Sequence, residues 1–194
     1  MNRKAIYRFI VIILAIMVLS GCQSEDNYDI REVELTEREQ ILTNALNSDF
    51  GGAIRLFEIA GGQYQFRAYH YQYGHLVDEI ELFGEVETQN GDLIIVSSIS
   101  NDGQLHFGIS VAGVGTSQFF PLEVDEINGY MSGSLGQGFE LGEEEVAFAI
   151  FQFTNTGSMA MSVQAINEYG ISEFVELFED YAHVVFFTAQ RVNN

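Results

Sequence analysis

The spacing of apolar residues changes along this chain, and each change marks an element or a boundary. Phe9 to Leu19 is an unbroken apolar run. Gln23 to Val33 is polar and acidic with no sustained period, so residues 22–33 read as a short tether. Glu34 to Asn47 then predicts a helix, with Ile41, Leu42, Ala45 and Leu46 on one stripe. Thr36-Glu37-Arg38-Glu39 has the form of a capping box, in which the Thr and Glu side chains each satisfy a free backbone donor of the first turn. Leu35 is placed to staple against that turn, and Asn47-Ser48-Asp49 before Gly51-Gly52 ends it.

From Ala53 onward the period is two. Leu105, Phe107, Ile109 and Val111 alternate with His106, Gly108 and Ser110, the signature of a strand with one buried face. The same reading predicts strands at Ile54–Ile59, Tyr64–Tyr73, Leu76–Phe83, Leu93–Ser100, Gln104–Val111, Gln118–Val124, Val146–Thr154, Ser158–Ile166 and Val184–Gln190. Asn101-Asp102-Gly103 and Asn155-Thr156-Gly157 suit tight turns that need positive φ. Phe174 to Tyr181 predicts a short helix leading into the last strand. The expected fold is therefore mainly β, an antiparallel sandwich of about nine strands preceded by one short N-terminal helix, with residues 34–194 as a single domain.

Arg3, Lys4 and Arg8 precede the apolar run, and Ser20-Gly21-Cys22 follows it. A basic flank, a short apolar stretch and small residues make a secretory signal over residues 1–21. The run is shorter than the roughly 20 residues that a spanning helix needs. Leu19-Ser20-Gly21-Cys22 resembles the lipobox of bacterial lipoprotein precursors. The resemblance implies cleavage before Cys22, a diacylglyceryl group on its sulfur, and attachment to the extracytoplasmic face of a cell membrane. Two acyl chains hold stably, since each buried methylene contributes about 0.8 kcal/mol and one chain binds only marginally. Cys22 is the only cysteine, so the chain has no internal disulfide.

Charge narrows the function classes further. Of the 8 Lys and Arg residues, the signal carries 3, leaving 5 against 28 Asp and Glu, a formal charge of about −23 for the remainder. Nucleic acid binding depends on cations that neutralise phosphates, and a chain this anionic excludes it. The 5 remaining cations are all Arg, which keeps its charge at any workable pH whereas Lys begins to lose its proton near pH 10. That bias points to an alkaline or saline extracellular habitat.

Candidate chemistry is sparse. His70, His75, His106 and His183 are the natural metal ligands, yet their spacing matches no metal motif, and they read as scattered strand and surface histidines. Asp125-Glu126-Ile127-Asn128-Gly129 and Glu143-Glu144-Glu145 gather oxygen donors without the spaced pattern of a calcium loop. No metal or other cofactor is expected. Ser110, in Gly108-Ile109-Ser110-Val111-Ala112, lies within a strand and not at a strand-to-helix elbow, so it does not read as a nucleophile. Gly133-Ser134-Leu135-Gly136-Gln137-Gly138 lacks the Lys of a phosphate loop and reads as a flexible connection.

The most unusual strand carries Tyr64 and Phe66 on one face and Tyr69, Tyr71 and Tyr73 on the other. If the second face is open, three tyrosines form a stacking surface for a sugar or for a partner's proline and aromatic groups. The stretch Tyr64-Gln-Phe-Arg-Ala-Tyr-His-Tyr-Gln-Tyr-Gly-His-Leu-Val-Asp-Glu is similar to small lipoproteins of low-GC Gram-positive bacteria with an N-terminal helix and a β-sandwich. That resemblance implies no catalytic residues. The sequence reading is thus a lipid-anchored extracytoplasmic module that binds a ligand or a membrane or cell-wall protein without catalysis. The alternatives are a carbohydrate- or cation-binding module and a cell-surface hydrolase.

Overall fold

The computed structural model describes residues 28–41, 53–99, 104–121, 129–136, 138–154, 163–170 and 175–192. They form two five-stranded antiparallel sheets packed face to face. In chain order the strands are β1 (Ile30–Glu32), β2 (Ala53–Ile59), β3 (Gly62–Gln72), β4 (His75–Thr88), β5 (Gly91–Ile99), β6 (Gln104–Val111), β7 (Val114–Pro121), β8 (Gly129–Ser134), β9 (Val146–Thr154) and β10 (His183–Arg191). The first sheet runs β1-β2-β5-β6-β7 and the second β4-β3-β10-β9-β8. The expected antiparallel sandwich is borne out.

Period-two patterning explains the core directly. Leu105, Phe107, Ile109 and Val111 of β6 face inward with Leu93 and Ile95 of β5, meeting Tyr64, Phe66 and Ala68 of β3 and Val185, Phe187 and Ala189 of β10. Phe107, Phe151 and Phe187 form a mutual triangle with ring centroids 5.6 to 5.7 Å apart. Such aromatic contacts add about 0.5–1.5 kcal/mol each beyond their buried area.

β9 and β10 are buried on both faces, which is why they read as nearly continuous apolar runs. Their outer face carries a second core of Tyr71, Ala147, Ile150, Val184 and Phe186, roofed by Val163 and Ile166 of a helix (Val163–Tyr169) and by Phe178 of a 3-10 turn (Val175–Asp180). Asn167 holds the helix to the sheet: its Oδ1 accepts from the Ala147 N–H at 2.9 Å and its Nδ2 donates to the Ala147 carbonyl at 2.7 Å.

Three sequence expectations need correction. The strand expected over Ser158–Ile166 is a helix from Val163, because Val163 and Ile166 are spaced to pack together on the sheet; it ends at Gly170, φ +83°, whose N–H donates to the Ile166 carbonyl. Residues 155–162 lie outside the described residues. The tether expected over 22–33 ends inside the domain: Ile30–Glu32 pairs antiparallel with β2, and Ile30 is fully buried. The strand expected over Gln118–Val124 starts earlier, at Val114, because Ala112 (φ +48°) and Gly113 (φ +84°) make a tight hairpin with β6. β8, expected to be loop at its Gly133-Ser134 end, is a further addition.

The capping box forms as expected. Thr36 Oγ1 and N–H both donate to Glu39 Oε2, and residues 37–41 are helical. The rest of the expected helix lies outside the described residues. So do Cys22 and the Phe9–Leu19 run; among the described residues no helix is long and apolar enough to cross a membrane.

Candidate functional site

Tyr69 and Tyr71 lie on the outer face of the second sheet, as the alternation requires, but that face is roofed over Tyr71 and half covered at Tyr69. Tyr71 is only 7% exposed, stacked on Phe186 at 5.8 Å and meeting the Phe178 ring edge-on at 5.2 Å. Tyr69 stacks flat on Phe186 at 5.0 Å, and its hydroxyl donates to both carboxylate oxygens of Glu145. Burial, and then the hydrogen bond to Glu145, push its phenol up to about 12. Tyr73 sits in the β3–β4 turn with φ +46°, its N–H bonded to the Tyr181 carbonyl. The three rings therefore do not line up as the open stacking surface expected of them: Tyr71 is core, Tyr69 is half-buried against it, and Tyr73 is a half-buried turn residue.

Two of the four histidines come together. His70 and His183 are each 2% exposed, on neighbouring strands of the inner face, with His70 Nε2 3.0 Å from His183 Nδ1. Burial lowers both to about 4, and at His70 the charge of His183 adds to it, so both rings are neutral at physiological pH. His75 begins β4 and is exposed, and His106 is on the outward side of β6. Among the described residues no three His, Cys, Asp or Glu side chains converge as a metal site.

One buried and two half-buried carboxylates are tied into the framework. Asp29 accepts from the Tyr64 hydroxyl at 3.0 Å, the Leu141 N–H at 2.7 Å and Arg191 Nη1 at 2.6 Å. Glu145 accepts from Tyr69 and the Thr188 hydroxyl and faces Arg67 at 3.6 Å, so it is held in a polar cluster on the outer face of the second sheet. Glu32 joins Arg55, which also donates to the Ser132 carbonyl and hydroxyl. Ser134 of the glycine-rich stretch donates to Glu32 as well, so Gly133-Ser134 is strand and not a phosphate cradle. Asp125 to Asn128 lie outside the described residues. Ser110 faces outward on β6 beside Gly115, and no base contacts it among the described residues.

Two surface features are left. A groove of about 530 Å³ runs between the chain at Val33 to Leu35 with Gln40 and the outer side of β2, floored by Ile54, Leu56 and the Glu32–Arg55 pair. The other is β4, which edges the second sheet and has β3 as its one ladder partner among the described residues. Sequence reasoning missed β4 as a surface; its signal was the run of Asp78, Glu79, Glu81, Glu85 and Glu87 within a single strand. Compared with protein-family models, with curated proteins and with solved structures, the chain matches none.

Proposed function

We propose that this chain is a membrane lipoprotein: a non-enzymatic binding or accessory module held on the extracytoplasmic face through acylated Cys22, with a membrane or cell-wall protein as its partner. The observation that carries this reading is the short interval between the lipobox cysteine and the sandwich. β1 begins at Ile30, and eight residues of extended chain reach at most about 28 Å. The lipid therefore keeps the domain close to the bilayer and limits how it is oriented. β1 enters beside the Ala60–Gly61 link and the Ala112–Gly113 turn, whereas the Tyr73–Gly74 turn and the start of β4 are at the opposite end of the sandwich. The membrane-distal end thus presents the first half of β4. In support of a binding role, Asp29, Glu145 and the His70–His183 pair are all engaged within the fold.

The test is fractionation of native membranes, with the mass of the mature N-terminal peptide, for wild type and Cys22→Ala. Wild type is expected in the membrane fraction with a diacylglyceryl-modified Cys22, and Cys22→Ala in the soluble fraction. Cys22→Ala that remains membrane-bound to the same extent overturns the anchor. Mild cross-linking before detergent extraction tests the accessory role, which predicts a stoichiometric partner that disappears in Cys22→Ala.

A further inference from the structure

Among the described residues, β4 is the longest open edge of this sandwich. β1 and β8 are sewn to each other's sheets: Phe139 bridges Ile30, Arg55 reaches Ser132 and Ser134 reaches Glu32. β7 is eight residues long and ends in Pro121, which has no N–H to offer a ladder. β4 has 14 residues, about 45 Å of backbone, and its first half is exposed, with Leu76 and Val77 half open to solvent. A strand of this kind is a template for another chain unless something guards it.

We infer that the β4 edge takes up an extended, cationic polypeptide segment as an added strand, which names the partner chemistry of the binding role proposed above and rests on it. The ladder would come from the outward backbone groups of β4, and Leu76 and Val77 would supply apolar contact at its open end. Charge selects the occupant. Glu79, Glu81 and Glu87 stand opposite Tyr69, Arg67 and Gln63 of β3 and so share the outer face, where alternate side chains of an added strand would meet them. None of the four ion pairs among the described residues uses a β4 carboxylate: Arg31 pairs with Glu58, Arg55 with Glu32, Arg67 with Glu145 and Arg191 with Asp29. A second copy of this chain pairing through β4 would set these acids against each other, a like-charge contact that disfavours it. A segment with Lys or Arg at alternate positions meets both requirements.

The probe is a ten-residue peptide alternating Lys and Thr, added to full-length protein in detergent micelles and, separately, to soluble Cys22→Ala. A peptide of identical sequence, N-methylated at alternate residues, keeps the charge and blocks the ladder. Expected results are at least tenfold tighter binding of the unmodified peptide, slowed amide exchange over residues 76–87, and at least tenfold weakening by Glu79→Gln with Glu81→Gln and Glu87→Gln in a protein with unchanged near-ultraviolet dichroism. Equal binding of both peptides, protection of a different strand, or dimerisation through β4 overturns the inference. Membrane retention of Cys22→Ala, by contrast, defeats only the anchor, because peptide binding is read on both forms.

Discussion

His70 Nε2 lies 3.0 Å from His183 Nδ1 across neighbouring strands of the inner face, with the two rings stacked at 5.2 Å. One N–H facing one lone pair suits two neutral imidazoles, and a proton added to either ring must be accommodated where water is excluded.

That arrangement sets an acid limit on stability. Both rings titrate near 4 in the folded protein against an ordinary 6.5, so between those values the unfolded chain binds protons that the folded one refuses. Stability from this source is complete above pH 6.5 and is lost as pH falls through 4. Urea unfolding should show a loss on the order of 2 kcal/mol per ring between pH 7.5 and pH 5. The His70→Gln, His183→Gln double variant should lose most of that difference, and an unchanged difference would refute the assignment.

Tyr71 should behave as a core residue and Tyr69 as a half-buried one. Tyr71→Ala removes a ring packed between Phe178 and Phe186 and is expected to cost about 3–5 kcal/mol, whereas Tyr71→Phe should cost less than about 1 kcal/mol. Tyr69→Phe takes a donor from the Glu145 carboxylate and should cost about 1–2 kcal/mol. Chemical denaturation of the three variants decides it: a Tyr71→Ala protein as stable as wild type would return the residue to the surface.

The domain starts before residue 34. Asp29 gathers Tyr64, Arg191 and the Leu141 N–H, so Asp29→Ala leaves the buried Tyr64 hydroxyl and Leu141 N–H without their acceptor, at about 2–4 kcal/mol, while the half-exposed Arg191 turns to solvent at little further cost. A chain beginning at residue 34 also lacks Ile30 and β1, and should show no cooperative urea transition, while one beginning at residue 23 should unfold as wild type does. Equal transitions in the two truncations would place residues 28–33 outside the fold.

Two hairpin glycines separate backbone strain from crowding. Gly74 (φ +78°) and Gly113 (φ +84°) both hold left-handed backbone, but a Cβ on Gly74 would sit 2.9 Å from Glu179 Cγ and 3.1 Å from the Val175 carbonyl, whereas one on Gly113 meets nothing within 4 Å. Gly113→Ala should cost about 1–2 kcal/mol from backbone strain alone. Gly74→Ala should cost measurably more and loosen the 3-10 turn, seen as faster amide exchange over residues 175–180.

The sequence alone determined what depends on neighbours along the chain. Side chains alternate across a strand whatever its partner, so Leu105, Phe107, Ile109 and Val111 could be placed on one buried face without knowing what covers it. The Thr36–Glu39 cap was legible for the same reason, since its hydrogen bonds span three residues. Net charge follows from counting. Tertiary structure decided which strands are neighbours, because ladder hydrogen bonds are the same for every residue and do not encode a partner. β10, last in the chain, inserts between β3 and β9. That insertion brings His183 to His70 across 113 positions and places Phe186 beneath Tyr69 and Tyr71. Val163 to Ile166 satisfied either period, and only the apolar outer face of β9 and β10 selected a helix to cover it. The same packing buried Tyr71, half covered Tyr69 and left the acidic edge of β4 facing outward, a distinction of burial that alternation along one strand does not contain.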